Sequence, residues 1–296
     1  MKRLFTAVLA GLTVLTAAAC GSTAERTEIV VTTDLLGDLT RAVVGDAAPV
    51  TVLMPTGGDP HSFGVSAKQA AGLERAALVV ANGLGLEEGV LRHVESAAAA
   101  GTPTLLVGDR VNPLPYRDSA NPDPHFWTDP ARVRTAVEAI RDRVLADVPG
   151  IDAAAVRART DGYLTRLDEL DRWMTERFAA LPAERRRLVT NHHVFGYLAA
   201  RFGLDVIGVV LPSGSALASP SAADLAGLAG AVRAAGVTTI FADSSQPDRL
   251  ARVLAEQAGV RVRVTALHTE SLTPPDGGAP TYLDMMRANT DAIIAG

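Results

Sequence analysis

Residues 152–181 run for about thirty positions with no proline and a single internal glycine, Gly162. Val156, Tyr163, Leu164, Leu167, Leu170, Met174, Phe178 and Leu181 recur at helical spacing along it. Read as one helix, the stretch spans roughly 45 Å at 1.5 Å per residue. A helix of that length in the middle of a chain predicts a strut between two lobes.

The flanking sequence fits that division. Strand-like runs fall at 28–32, 50–54, 78–81 and 103–107 before the long helix, and at 188–190, 205–210, 238–242 and 260–266 after it. Helical segments separate them, at 34–44, 87–100, 130–147, 191–203, 222–235 and 247–258, with a last one at 282–294. Ser66 with Gln69 makes a capping box for a further helix, and Asp129-Pro130 is an N-cap followed by a first-turn proline. Strands alternating with helices at this spacing predict parallel sheets covered on both faces. The expected fold class is therefore α/β, two lobes with parallel sheets joined by one long rigid helix. The N-terminal lobe is placed at 28–148, the linking helix at 149–181 and the C-terminal lobe at 182–296.

Residues 1–19 are not part of that fold. Lys2 and Arg3 precede an apolar run at 4–15, too short for a mature span, and small residues lead to Cys20. The pattern predicts a lipoprotein signal peptide at 1–19, lipidation of Cys20, and a polar tether at 20–27. The protein would then sit extracytoplasmically, anchored to the cell membrane or periplasmic. Cys20 is the one cysteine in the chain, which excludes intrachain disulfides and a cysteine-based metal site in the body. A net charge of −5 argues against a nucleic-acid partner.

The chain holds six histidines. Two stand in matching motifs, DPHSF at 59–63 and DPHFW at 123–127, and a third, His192, follows the strand at 188–190. Each lies where a strand gives way to a loop or helix, and ligands of open α/β sheets gather at the carboxyl ends of strands. Aromatic residues follow each: Phe63, then Phe126 and Trp127, then Phe195, in a chain only 4% aromatic. Neutral imidazole is the commonest metal ligand. His61, His125 and His192, drawn from both lobes, can meet only between them. A fourth ligand is expected from Glu270, with Asp243 the rival carboxylate and His268 a more distant choice. Three histidines and a carboxylate close a tetrahedral set, which suits zinc; manganese wants more oxygen donors. His193 is expected to point elsewhere, as a supporting neighbour of the site at most, and His93 to be exposed. A zinc hydrolase would use similar residues with one open position for water, but no HExxH is present. No P-loop and no G-x-S-x-G elbow occurs, and GLGLEEG at 83–89 has the spacing of a turn and not of a dinucleotide fingerprint.

The motifs GGDPHSF, DPHFWTDP, LVTNHHVFGYLAARFGL and TYLDMMRAN resemble the solute-binding lipoproteins of bacterial zinc and manganese ABC importers, the cluster A-I family. The resemblance covers nearly the whole mature chain. It implies two α/β lobes joined by a long helix, with His61, His125 and His192 as ligands and the fourth position at Glu270. It also implies a monomer without enzymatic activity that delivers its ion to an ABC permease driven by a partner ATPase. Ion entry would use motion of the loops at 55–64 or 269–280. Zinc-type relatives often carry a His-rich loop before the second motif; residues 113–124 contain no histidine, so no auxiliary collecting loop is expected. Manganese-type members often place Glu at the third position, so His192 favours Zn2+, with Mn2+ as the alternative.

Overall fold

A computed structural model describes residues 26–117, 119–210, 221–245, 248–259 and 262–296. Cys20, its leader and most of the loop expected at 211–221 lie outside the described residues.

The first sheet is built from β1 (Ile29–Val31), β2 (Val50–Val52), β3 (Leu78–Ala81) and β4 (Thr104–Leu106), in the order β2-β1-β3-β4. The second comprises β5 (Arg187–Thr190), β6 (Asp205–Val209), β7 (Thr239–Asp243) and β8 (Arg263–Leu267), in the order β6-β5-β7-β8. All pairings are parallel, so the two sheets repeat one topology and each collects its strand carboxyl ends along one edge. The helices are α1 (Asp34–Val44), α2 (Ala67–Arg75), α3 (Leu91–Ala99), α4 (Pro130–Asp147), α5 (Ala153–Ala179), α6 (Gly196–Phe202), α7 (Ala222–Ala235), α8 (Arg249–Ala258) and α9 (Tyr282–Ala295).

The long helix is α5, 27 residues capped by Asp152, whose carboxylate accepts from the N–H groups of Ala154 and Ala155. At 1.5 Å per residue it is about 40 Å long. The apolar stripe read from the sequence is its buried face, and Leu181 is buried just beyond its end. That face packs on α1 and α4 from the first half and on α6 and α9 from the second. One core cluster consequently runs from Val31 and Leu78 through Leu167 and Met174 to Leu188, Phe241 and Leu267. The helix is the spine of a core common to both sheets, more than a strut. Each large aliphatic side chain buried on it contributes about 1.5–3 kcal/mol by removing apolar surface from water.

Local signals hold where side-chain chemistry dictates them. Ser66 and Gln69 form the reciprocal capping box of α2, and Asp129 caps α4 with Pro130 in its first turn. Two helices start later than periodicity suggests. Residues 82–90 are turns before α3, because the buried carboxylate of Glu87 gathers the N–H groups of Asn82 (2.7 Å) and Gly83 (3.0 Å) and the hydroxyl of Thr32 (2.6 Å). Gly83, Leu84 and Gly85 accordingly take positive φ. Residues 191–195 likewise turn before α6, so His192 stands on a turn and not in the first helical turn. Here Thr190 donates its hydroxyl to the His192 carbonyl (2.8 Å), an alternative to helical pairing.

Candidate metal centre

The repeated Asp-Pro-His is a device for presenting an imidazole. In both copies the aspartate side chain accepts from the backbone N–H of the histidine two residues on, 2.9 Å in each case, through Asp59 Oδ1 and Asp123 Oδ1. This is an Asx turn, and the intervening proline stiffens it by fixing its own φ. The motif follows β2 in one case and β4 in the other, and His192 follows β5. Glu270 follows β8, in a segment held by Trp127 Nε1–H donating to the Thr269 carbonyl (2.7 Å).

These four residues converge. His61, His125, His192 and Glu270 are all buried, and each offers a ligand atom to one common cluster. Glu270 Oε1 lies 2.9 Å from His61 Nε2, 3.2 Å from His125 Nε2 and 3.4 Å from His192 Nε2. His61 Nε2 lies 3.4 Å from His125 Nε2 and 3.2 Å from His192 Nε2. A regular tetrahedron with edges of about 3.2 Å has its centre roughly 2.0 Å from every vertex, the bond length of zinc to nitrogen or carboxylate oxygen. The three rings stand steeply to one another, at interplanar angles of 51°, 86° and 88°, so each directs Nε2 inward without stacking on its neighbours.

Electrostatics explains how so many polar groups are accommodated together in the interior. Burial opposes charge on Glu270, but hydrogen bonds from His125, His192 and His61 hold its carboxyl well below the usual range. Burial also opposes charge on His125, yet the charge and hydrogen bond of Asp123, with Glu270 behind, raise it to about 9. Burial dominates at His192 and lowers it. A proton on His125 therefore compensates the buried carboxylate.

The other candidates separate from the cluster. Asp243, at the end of β7, is buried against Glu270; desolvation and that neighbouring charge push it well above the carboxylate range, and it offers no ligand atom to the common point. His193 is half-buried, with its ring 5.9 Å from that of Tyr116. His268 is occupied elsewhere, its ring Nδ1 lying 3.3 Å from Ser244 Oγ and its backbone N–H donating to Asn289.

Asp123 has a role beyond the one its place in the motif predicts. Its Oδ1 lies 2.7 Å from His125 Nδ1 as well as accepting from the backbone. It orients the ring and leaves Nε2 free to face the cluster. The signal was present in the first residue of the repeated motif. Asn82 is a second such residue: its amide donates to the Pro124 carbonyl (3.1 Å), so the Glu87 turn sets the height of the His125 loop.

Two parallel-sheet lobes on one spine, with a buried three-histidine, one-carboxylate cluster where their strand ends meet, define a two-lobed metal-site protein of the binding-receptor type. The chain belongs to the family described as zinc-uptake complex component A, periplasmic (ZnuA), which matches residues 29–296. The solved structure of the periplasmic zinc-binding protein TroA from Treponema pallidum superposes with a TM-score of 0.84 at 27% identity, covering 91% of this chain and 98% of that one. The manganese-binding lipoprotein MntA of Halalkalibacterium halodurans is 26% identical over 100% of this chain and 99% of its own length. The zinc-binding lipoprotein AdcA of Streptococcus pneumoniae is 30% identical over 97% of this chain, which spans 59% of that longer protein.

Proposed function

We propose that this protein is the extracytoplasmic metal-binding subunit of an ABC importer, holding Zn2+ between its lobes through His61, His125, His192 and Glu270 and passing it to a membrane permease. The observation that supports the reading is the convergence of four buried donors, with separations of 2.9–3.4 Å from Glu270 Oε1 and from His61 Nε2 that suit a zinc-sized tetrahedral site. A closed set of four donors suits retention of an ion, whereas hydrolytic zinc keeps a position open for water. Family membership and the two relatives with zinc in their names support the choice of metal. Manganese is the second reading. It is favoured by the manganese-binding relative MntA.

Transport needs a partner ATPase and permease, and retention at the cell surface needs an anchor, for which Cys20 is the proposed lipid site. No helix among the described residues is long and apolar enough to cross a membrane. The test is to strip residues 21–296 with chelator, offer equimolar zinc and manganese, and identify the bound ion and its coordination number by native mass spectrometry and X-ray absorption. Titration of H61A, H125A, H192A and E270A should show zinc affinity falling roughly a hundredfold or more in each. Unchanged affinity in any one variant removes that residue from the ligand set.

A further inference from the structure

The loop carrying His61 is the most open of the four ligand segments. Residues 55–57 are exposed, as are Ser62 and Gly64. Besides the His61–Glu270 contact, one hydrogen bond among the described residues joins this loop to the segment carrying Glu270: Gly57 N–H donates to Ser271 Oγ (2.7 Å). The Ser271 hydroxyl in turn donates to Asp34 Oδ2, the same oxygen that accepts from Leu272 N–H (2.9 Å). Asp34 opens α1 and is buried, as are Ser271 and Leu272. Burying a carboxylate with no cationic partner is unfavourable and is tolerated when the group orders something else.

We infer that Asp34 and Ser271 form a clasp between the His61 loop and the Glu270 segment, and that its opening sets how fast the ion leaves. The inference rests on the functional reading above and adds positioning residues to it; neither side chain touches the ion. The ligand atoms of His61 and Glu270 keep their 2.9 Å separation only while the two segments stay in register, and the clasp lies four residues from one and next to the other. Chain breathing at this exposed edge separates two of the four donors at once, while His125 and His192 remain held by buried turns. Asp34 needs no charge for this task. An asparagine carbonyl in place of Oδ2 accepts the same two hydrogen bonds, whereas alanine accepts neither.

The test uses residues 21–296 loaded with zinc and chased with excess chelator. D34A and S271A should release the ion roughly ten- to hundredfold faster than wild type, the range expected when a buried hydrogen-bonding partner is left unsatisfied. D34N should stay within about threefold of wild type, and the cobalt-substituted absorption spectrum should be the same in all four proteins, since the ligands are intact. If D34A fails to fold, S271A carries the test. Wild-type affinity with unaltered release in both D34A and S271A overturns the clasp and leaves the functional reading standing. Release from D34N as fast as from D34A also overturns it, because the geometry of acceptance would then be irrelevant. Failure of the wild-type protein to hold zinc at all overturns the functional reading and the clasp with it.

Discussion

Replacing Asp123 by asparagine tests how much of the metal affinity is supplied from outside the ligand set. Asp123 Oδ1 receives both the His125 backbone N–H and the ring Nδ1 at 2.9 and 2.7 Å, and the carboxylate is 3% exposed. Asparagine preserves the shape and an acceptor oxygen but removes the negative charge that makes His125 a stronger base. Loss of such a partner typically lowers metal affinity 10- to 100-fold, about 1.4–2.7 kcal/mol. A second effect has the opposite sign. Asp123 contributes the larger share of what raises His125 to about 9, so in the wild type at pH 7 an incoming ion must displace a proton there. That competition weakens the apparent wild-type affinity by up to about a hundredfold at pH 7 and vanishes above pH 9. D123N lacks most of it. The deficit of the variant should therefore be small at pH 7 and reach its full 10- to 100-fold at pH 9. Competition titration against a chromophoric zinc chelator at both values measures it. Equal affinities at pH 9, or a deficit larger at pH 7 than at pH 9, would refute the assignment of Asp123 as the group that orients and polarises His125.

Three further outcomes are expected. Burial pushes the Asp34 carboxyl from its usual 3.8 up to about 6 against the hydrogen bonds from Ser271 and Leu272. The native state thus binds that proton more tightly than the unfolded chain. The associated stability is present below pH 3.8 and lost as pH rises through 6, about 3 kcal/mol in all. Urea titrations of metal-free protein should show the wild-type-minus-D34N difference falling by about 2.4 kcal/mol between pH 4 and pH 7, and a flat difference would contradict it. A Cβ at Gly89 would stand 2.3 Å from the Phe63 carbonyl oxygen, two residues past His61. G89A should therefore destabilise by about 1–3 kcal/mol and weaken zinc binding, read by thermal unfolding and titration; a wild-type melting curve would show that the His61 loop yields freely. C20S should abolish incorporation of labelled fatty acid and release the protein from the membrane fraction, whereas continued labelling would place the anchor elsewhere.

Much of this arrangement is legible in the sequence because short-range physics carries it. The α5 stripe, the Ser66–Gln69 box and the Asp129-Pro130 start are local, and each forms as its side chains dictate. Periodicity places the starts of α3 and α6 too early for the opposite reason. Glu87 is engaged by Thr32, 55 residues away, and the Asn191 side chain by the N–H of Asp243, 52 residues away, so both turns answer to tertiary partners that periodicity does not reveal. The same limit applies at the site. Three histidines at strand ends are visible from spacing, but the choice of Glu270 over Asp243 depends on which of two adjacent buried carboxylates faces the imidazoles. The Asx turn lay in plain view in both Asp-Pro-His motifs, and its meaning required seeing that Asp123 also grips the ring.

The shared core has a consequence for how an ion can come and go. If α5 were a bare strut, the lobes could swing about its ends and expose all four donors together. Its buried face is instead continuous with strands of both sheets, through Val31 and Leu78 on one side and Leu188 and Leu267 on the other. Opening the lobes would expose that apolar surface at about 25 cal/mol per Å2, a far larger penalty than parting the few hydrogen bonds that hold a loop. Motion of segments attached outside the core is therefore the less costly route for the proposed exchange. Of the four ligand segments, His125 is braced by Asp123, Asn82 and Trp127, and His192 by the Thr190 turn. Among the described residues the His61 loop is held to the Glu270 segment by the Gly57–Ser271 bond alone apart from the His61–Glu270 contact, which is why the proposed clasp is placed at that edge.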